Sequence, residues 1–599
     1  MQKVSEDWKY VHQKRLLNES FVKISFNVTD PEAFGDAKSV DNGACYVSNT
    51  SEVVNGLTKT IPCYAQLERN IWLLDGSRTF IPNDFGKNMG YISDMLSKAD
   101  GYFEKIPVVS IKFSKTHNHV IPGITILWGT AYDEYAETFN IKAYNGKDVV
   151  ASKEIKDNNS RKSIINLDIE NYDRIDIEIV KWCLPYHRAR ITDIFIGVNK
   201  TYEKSDLISY DHEMQRDILA HTLPINKMNF AIDNSDNVYD PNNLTGFSKY
   251  LMQRQELEVS YGLKLDDGSI EYIPAGVFYL SEWEAPQNGL EARFMTRDVL
   301  EFLQKIYTKG LYKKEGTSLY DLAIDVLNEA NLPLNRDGRK RWIIDEKLKN
   351  IKTTAPLPLC TLAECLQYIA SAGACSLYTD RQGILHLKRK ALTRSSDYSL
   401  TDFNLLERPE IVLQKPVKEI STNVYTYFVD DSEKGKELFN GKVKIKGSDE
   451  VVIVYSSSAV NVTATVEGAN LESANYYTNA CHLKLKGKGE ANVKVVGDVL
   501  TNSVSHYIEK LDNQGEVQEI DNMLITDNTM AKTVTILAAR TLSQRKMLKI
   551  ESWRADPRLD PLDIIDVENK FSKEAVTMSN VKYVFTGAFR GSGEGRVNE

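Results

Sequence analysis

The chain has 599 residues, a formal net charge of −9 and a charged fraction of 26%. This length and ordinary composition predict roughly three to five soluble domains. The modest negative charge argues against a nucleic-acid binder that works by neutralising phosphates. It does not exclude a basic patch on one face of the protein. No run approaches the ~18 consecutive apolar residues of a membrane helix, and the N-terminus lacks the apolar core of a secretory signal.

The number and spacing of the cysteines predict that their thiols are reduced. No two of them form a Cys-x-x-Cys pair, and an odd count favours a chain that folds in a reducing cytosol. Cys360, Cys365 and Cys375 are close enough in sequence to suggest metal ligands. Cys365, however, falls on the apolar stripe of a predicted helix, which favours a buried structural thiol. We therefore expect neither a metal nor a cofactor. The seven cysteines are at 45, 63, 183, 360, 365, 375 and 481.

Residues 1–84 predict the first part of a β-barrel domain. They contain one long strand, SFVKISFNVTD, followed by a polar, turn-rich passage and a segment that begins at Tyr64 and ends at an Asp75-Gly76 turn. We expect little helix in this region.

Residues 85–199 predict a β-sandwich of the jelly-roll type. Short strands recur at regular spacing with Gly and Asn/Asp turns between them, and Ile175, Ile177 and Ile179 alternate with outward-facing acidic residues. Because this unit separates two parts of one predicted barrel, we interpret it as an insertion. The predicted strands are 108–113, 123–128, 138–143, 148–155, 163–169, 174–182 and 189–197.

Residues 200–305 predict the second part of the first barrel. After a polar connector, three strands and a short helix are expected between Leu257 and Leu303. Leu257, Val259 and Tyr261 alternate with polar residues, and Asp-Gly and Asn-Gly pairs mark tight turns. The segment contains no candidate catalyst and is interpreted as scaffold.

Residues 306–404 predict a small α/β domain. Ser318 with Asp321, and Thr361 with Glu364, have the spacing of capping boxes that start amphipathic helices. The first helix is expected to stop at Pro333, and a β-hairpin follows the second. Each helix is apolar on one side, so each should cover a sheet or a neighbouring domain.

Residues 405–599 return to β structure. We expect the first part of a second barrel at 405–440, an inserted β domain at 441–525 and the closing part of the barrel at 526–599. One amphipathic helix is predicted at about 529–546. The fold class is therefore mainly β with a small α/β domain.

Several passages carry a resemblance to a known family: QRQELEVSYGLKLDDGSIEYIPAGVFYLSEWEAPQNGLEARFMTRDVLEFL, the helix–hairpin stretch CTLAECLQYIASAGACSLYTDRQGILHLK, and ADPRLDPLDIIDVENKF with NVKYVFTGAFRGSGEGR. In this order they resemble the tail-hub, or baseplate-hub, proteins of phages of Gram-positive bacteria and of related prophage or tailocin particles. The resemblance covers most of 200–430 and 529–599. The insertions at about 85–199 and 440–525 depart from it.

The resemblance implies a structural role. Two barrel-type hub domains per chain would let three chains form a ring with a sixfold-like arrangement and a central channel. Such a homotrimer would join the tail tube to distal tail, baseplate, spike or tip proteins of a virion. It would be made in the host cytoplasm, and genome DNA would meet it only in transit.

Catalysis is not expected. The chain has no Gly-x-Ser-x-Gly, His-Glu-x-x-His or P-loop pattern. Asp556, Asp560, Asp563 and Asp566 are crowded, but their Asp-Pro pairs are typical of turns. A glycosidase dyad would need two carboxylates facing each other across a cleft, and the sequence cannot establish this. A cell-wall hydrolase remains the least favoured alternative.

Two smaller clusters of residues have the composition of a binding site. His117 and His119 could share one strand face and bind a metal, but no third ligand is identifiable, and a solvated loop pair is the favoured interpretation. Aromatic residues near the sandwich loops could stack on cell-wall sugars, which makes a carbohydrate-binding adsorption protein the main alternative function. Closure of the sandwich core is the other explanation for them. The candidate carbohydrate residues are Trp128, Tyr132, Tyr135, Tyr186, His187 and Arg188, with Trp182 expected to be structural.

Overall fold

The computed structural model describes most of the chain. The described residues are 1–14, 18–28, 30–37, 39–41, 91–129, 134–243, 246–286, 289–333, 340–389, 396, 398–568 and 572–598. The predicted segment from Tyr64 to Asp75 and the candidate Tyr132 therefore lie outside the description.

The helices are short and most are capped by a polar side chain. They are α1 (Glu6–His12), α2 (Pro31–Asp36), α3 (Leu319–Ala330), α4 (Leu362–Ala372) and α5 (Asn528–Leu542), and the described residues also include 3₁₀ turns at Phe247–Tyr250, Val299–Leu303, Glu346–Asn350 and Asp431–Glu433.

Strands make up most of the remaining structure. Those of the N-terminal half are β1 (Ser20–Val28), β2 (Ser39–Asp41), β3 (Tyr91–Leu96), β4 (Val108–His117), β5 (Ile121–Trp128), β6 (Ala136–Asn145), β7 (Asp148–Ile155), β8 (Lys162–Ile169), β9 (Tyr172–Trp182), β10 (Arg188–Ile196), β11 (Val198–Tyr202), β12 (Leu207–Gln215), β13 (Ile225–Asp233), β14 (Glu256–Lys264), β15 (Ile270–Glu284) and β16 (Glu291–Arg297).

The C-terminal half continues the pattern. Its strands are β17 (Thr317–Ser318), β18 (Trp342–Ile344), β19 (Lys352–Thr353), β20 (Ser376–Thr379), β21 (Leu385–Lys388), β22 (Ser399–Leu400), β23 (Glu410–Leu413), β24 (Val417–Phe428), β25 (Lys436–Ile445), β26 (Ser448–Val454), β27 (Ala459–Glu467), β28 (Asn470–Tyr476), β29 (Ala480–Lys486), β30 (Gly489–Val499), β31 (Thr501–Lys510), β32 (Glu516–Ile520), β33 (Lys546–Arg554), β34 (Ile564–Glu568), β35 (Lys573–Phe585) and β36 (Phe589–Val597).

One large sheet joins the two ends of the chain. Its 13 strands follow the order β11-β1-β14-β15-β16-β13-β12-β35-β36-β33-β23, with β34 and β22 branching from β35. The link is the antiparallel pair between β12 and β35, in which Tyr210 lies opposite Phe585 and Met214 opposite Val581. One apolar core, from Trp8 and Val22 to Phe589 and Val597, lies against this sheet.

The mainly β fold class is confirmed. The expected barrels, however, do not appear as closed barrels among the described residues. The two sets of strands share hydrogen bonds through β12 and form one open sheet that runs from β11 to β23. The division of the chain into domains stays a prediction.

A sandwich of two sheets forms a second core. The sheets are β2-β4-β9-β6-β7 and β3-β10-β5-β8, and the seven predicted strands occur as β4 to β10. Ile175, Ile177 and Ile179 are fully buried, because alternate residues of a strand face the same side. The buried members of this core all lie between Ala33 and Ile196.

The α/β part has a third core. Thr361 and Glu364 form the predicted capping box of α4, and Ser318 accepts a hydrogen bond from the Asp321 amide at the start of α3. α3 ends at Ala330, where Asn331 takes a left-handed conformation, before the predicted stop at Pro333. This core also receives residues of α5 and of the three-stranded sheet β31-β24-β32. Two further three-stranded sheets, β25-β30-β27 and β26-β29-β28, enclose a fourth core.

Two long segments leave and return between paired residues. Val28 lies opposite Val198 in the β1–β11 pair, and Phe428 lies opposite Thr501 in the β24–β31 pair. The chain between each pair, 29–197 and 429–500, therefore departs from the end of a two-stranded ladder. The sequence predicts insertions at 85–199 and 441–525, and their status as inserted domains stays a prediction.

Candidate functional site

The most developed polar site lies where the two ends of the chain meet the hairpin β20–β21. Arg381, in the hairpin turn, is 3% exposed. Its Nε donates to Asp560 Oδ1 at 2.8 Å, and its two terminal nitrogens donate to the carbonyls of Pro274 and Leu559 at 3.1 and 3.0 Å. One guanidinium thus holds the strand β15, the hairpin and the segment before β34. We call this group the Arg381 junction.

The charge of Asp560 is fixed by this junction. Burial alone would raise the pKa of its carboxyl, but the charges of Arg381 and Arg216 act against burial. Together with hydrogen bonds from Arg381 and Gln2, they lower the pKa of Asp560 to about 2 from an ordinary 3.8. Asp560 is therefore ionised at neutral pH.

The N-terminus is attached to the same segment. The Met1 amine lies 2.8 Å from Asp563 Oδ2, and Gln2 Nε2 donates to Asp560 Oδ2 at 2.7 Å. Asp556, fully buried, accepts from the Arg558 guanidinium and lies 3.9 Å from His12 Nδ1.

The crowded carboxylates are thus structural in this conformation. The turn interpretation holds for the backbone, since Asp556 to Asp563 connect β33 to β34. The side chains are nevertheless not simple surface turns, because Asp556 and Asp560 are buried and bound to cations. Asp566 pairs with Lys573 at 3.1 Å. A carboxylate committed in this way is not positioned as half of an acid–base dyad across a cleft.

A buried hydrogen-bond chain of the main sheet lies beside the junction, with the Arg381 guanidinium 5.9 Å from the centre of the Tyr261 ring. His212, which is fully buried, lies between the Tyr261 hydroxyl at 2.6 Å and Asn226 Oδ1 at 2.8 Å. Tyr210 and Tyr261 share a further hydroxyl contact of 2.9 Å. Burial lowers the pKa of His212 to about 4, so the imidazole is neutral at pH 7.

A cavity of about 980 Å³ opens beside the N-terminal segment. Lys3, Lys9, Tyr398, Phe403 and Arg558 are among its lining residues. Lys9 is paired with Glu6 at 2.7 Å. The cavity is a broad groove of mixed polar and apolar lining at the margin of the junction, and its Arg558 and Asp566 are paired with Asp556 and Lys573, which lie outside the lining.

A second buried polar cluster closes one end of the sandwich. Glu134 accepts from Trp182 Nε1 at 2.9 Å and from Arg190 at 2.7 Å, and lies 3.2 Å from His187 Nδ1. Burial would raise the pKa of Glu134, but His187, Arg190 and Trp182 together lower it. The four side chains are at most 4% exposed, so the group holds strands together from inside.

The candidate carbohydrate residues separate into two groups. Trp128 is fully buried against Trp182 and Phe139, and His187 is 3% exposed, so neither ring offers a face to a sugar. Tyr135, Tyr186 and Arg188 are half-buried. This placement favours closure of the sandwich core for the first two. Carbohydrate binding by the rest stays a prediction, and saturable binding to purified wall material would test it.

His117 is not the solvated loop residue that was favoured from sequence. It is 3% exposed, with Nε2 3.0 Å from Asp36 Oδ2 and Nδ1 3.7 Å from Asp30 Oδ2. Since α2 is capped by Asp30, the contact attaches that helix to β4. Within the described ranges, no group of three or more His, Cys, Asp or Glu side chains could hold a metal ion.

The open end of the main sheet is an exposed apolar edge. β23 pairs only with β33 among the described strands, and Ile411 and Leu413 are 48% and 61% exposed. Phe403 and Leu406, shortly before the strand, are 43% and 55% exposed. A strand at this position follows from the sequence, but its place at an edge does not, because its partner β33 comes from a distant part of the chain. No helix among the described residues is long and apolar enough to cross a bilayer.

No family model and no curated protein matches the chain. A tail protein from Neisseria meningitidis MC58 is similar in structure, with 10% identity, a TM-score of 0.38, and coverage of 67% of this chain and 93% of that one. The prophage tail protein gp18 from Listeria monocytogenes has 8% identity and a TM-score of 0.37, with coverage of 67% and 91%. The 43 kDa tail protein of prophage MuSo2 from Shewanella oneidensis has 10% identity and a TM-score of 0.34, with coverage of 66% and 95%.

Proposed function

We propose that this chain is a structural tail-hub protein of a phage or phage-like particle. Three copies form a ring with a central channel, which joins the tail tube to distal tail, baseplate or spike proteins and contacts the host wall. Genome DNA passes through the channel without being held. The protein is made in the host cytoplasm and acts in the virion.

The observation that carries this proposal is the single sheet built by both ends of the chain. β12 and β35 join two sets of strands, and the Arg381 junction fixes them relative to each other. A chain with two such sets supplies six sets when three copies assemble. This count would let a threefold ring meet a sixfold tube.

The exposed edge at β23 supports assembly. An apolar edge strand with unpaired backbone groups is an aggregation hazard unless something covers it. In a closed ring, the edge of each copy would be covered by the next copy. The net charge of −9 suits a channel through which DNA slides.

The test is the mass and shape of the purified full chain. Light scattering is expected to give about three times the 67.9 kDa chain mass, and electron microscopy a threefold ring with an open centre. The same ring should form on isolated tail tubes if it does not form in free solution. A protein that stays monomeric both alone and with tubes would contradict the proposal.

A further inference from the structure

Two cysteines lie side by side at the start of α4. Cys360 Sγ and Cys365 Sγ are 3.5 Å apart. Cys365 is fully buried, whereas Cys360 is half-buried and therefore within reach of a small reagent. We propose that this pair is a modification site, at which a low-molecular-weight disulfide such as oxidised glutathione closes an internal Cys360–Cys365 disulfide.

The backbone holds the two sulfurs in this arrangement. Thr361 is the N-cap of α4, and its capping box with Glu364 lies between the two cysteines. The Tyr307 amide donates to the Cys360 carbonyl at 2.8 Å, and the Cys365 amide donates to the Thr361 carbonyl at 2.9 Å. Because both positions are fixed, closure to a bond of about 2.05 Å requires mainly side-chain rotation.

These positions also have an unreactive explanation. They are the residue before the N-cap and the fourth helical residue, which commonly form an apolar contact that fixes the entry of a helix. Two thiols can serve that purpose while reduced. In addition, a contact made by two cysteines can become a covalent bond.

The chemistry balances with one external disulfide. The Cys360 thiolate attacks one sulfur of the reagent, forms a mixed disulfide and expels the first small thiol. Cys365 then attacks Cys360 Sγ, its proton passes to the departing small thiolate, and the second small thiol leaves. Two protein thiols are oxidised, and one reagent disulfide is reduced to two thiols.

The experiment treats the folded full chain with oxidised glutathione at pH 8, followed by alkylation under denaturing conditions and mass spectrometry. Trypsin releases one peptide, 353–381, that contains Cys360, Cys365 and Cys375. We expect this peptide to carry a single alkyl group and to have lost about 2 Da through the closed bond. Amide hydrogen exchange at the start of α4 should slow, and dithiothreitol should reverse this protection.

Two variants assign the bond. Cys375→Ser, the matched control, should still close, whereas Cys360→Ser should not. Three alkylated cysteines in the wild type, a lasting glutathione adduct, or a bond that forms in Cys360→Ser would each overturn the proposal. If Cys360→Ser does not fold, chymotryptic cleavage after Tyr368 separates Cys375 from the pair in the wild type, so the bond can still be located.

Discussion

At the scale of single residues, the molecule depends on charges buried between distant parts of the chain. Arg381 and Asp560 are 179 positions apart in sequence and 2.8 Å apart in the fold. A buried ion pair contributes little by itself, but removing one partner leaves the other charge without compensation. Such a pair therefore specifies which segments meet.

Arg381→Ala should loosen the contact between the two ends of the chain. An unpaired buried carboxylate costs about 3–5 kcal/mol. Because the protein has four separate cores, it is not expected to unfold in a single transition. The measurement is therefore amide hydrogen exchange in β34 and β35.

Lys415→Ala is the matched control for that variant. Lys415 and Glu516 form an ion pair whose side chains are 78% and 64% exposed, and its loss should change exchange little. The double variant Arg381→Met with Asp560→Leu should recover much of the protection. Unchanged exchange in Arg381→Ala would show that the junction does not hold the ends together.

Asp298→Asn should stabilise the protein at neutral pH. Asp298 is 1% exposed and caps the 3₁₀ turn Val299–Leu303, and burial raises its pKa to about 6 from 3.8. A raised acid pKa contributes stability that is complete below pH 3.8 and is lost as the pH rises through 6. Asparagine caps equally well without charge, so the gain should reach about 2–3 kcal/mol at pH 7.5 and vanish near pH 4.

The readout for Asp298→Asn is hydrogen exchange of residues 291–303 at both pH values. Asp430→Asn changes an exposed cap whose pKa is lowered by hydrogen bonds from Ser432, so it should give a small effect of opposite sign. An equal gain for Asp298→Asn at pH 4 and pH 7.5 would mean that charge burial is not the cause.

At the scale of elements, prediction from sequence succeeded where the signal is local. The capping box of α4 and the alternation in β14 depend on neighbouring residues and were both predicted. α1 was missed, because its buried Trp8 and Val11 occupy only two turns of a polar segment. α5 ends at Leu542, a turn before the predicted end. The Arg381 junction could not be predicted, since the three segments that it joins are far apart in sequence.

The edge strand β23 should control association. Ile411→Lys with Leu413→Lys should leave the fold intact, because both side chains are already about half exposed. Charged residues on an edge strand oppose pairing with another strand, so association should weaken by roughly tenfold or more. The measurement is sedimentation or light scattering over a concentration series.

Val149→Lys provides the comparison for β23. Val149 is 54% exposed on β7, the outer strand of a sandwich sheet, so it tests an added charge on a different edge. If Val149→Lys weakens association as much as the β23 double variant does, the cause is a general effect of charge. If the β23 double variant leaves association unchanged, β23 is not part of the interface.

At the scale of the whole molecule, the sandwich and the main sheet have separate cores. The sandwich core uses residues from Ala33 to Ile196, and the core of the main sheet uses none of them. Lys249 and Tyr250 hold Asp168 of the sandwich, but Asp168 is 54% exposed and the contact is peripheral. The sandwich therefore has its own core and contacts the main sheet at an exposed position.

Replacing residues 29–197 with Asn-Gly should leave the rest of the protein folded. Val28 and Val198 are already cross-strand partners, and a two-residue turn is the common connection of such a pair. Circular dichroism should show intact β structure, and light scattering the same number of copies as the full chain. An insoluble product, or one that no longer assembles, would show that the sandwich is part of the scaffold.

The register at Val28 and Val198 also makes this position suitable for grafting a foreign domain. Opposed residues of an antiparallel ladder lie about 5 Å apart, so any foreign domain whose own termini are that close could be grafted there. Phe428 and Thr501 offer a second position of the same kind. A chimaera built at either position would display the grafted domain at a fixed place on this protein. The residue pairs of the strand ladder below the graft would stay unchanged.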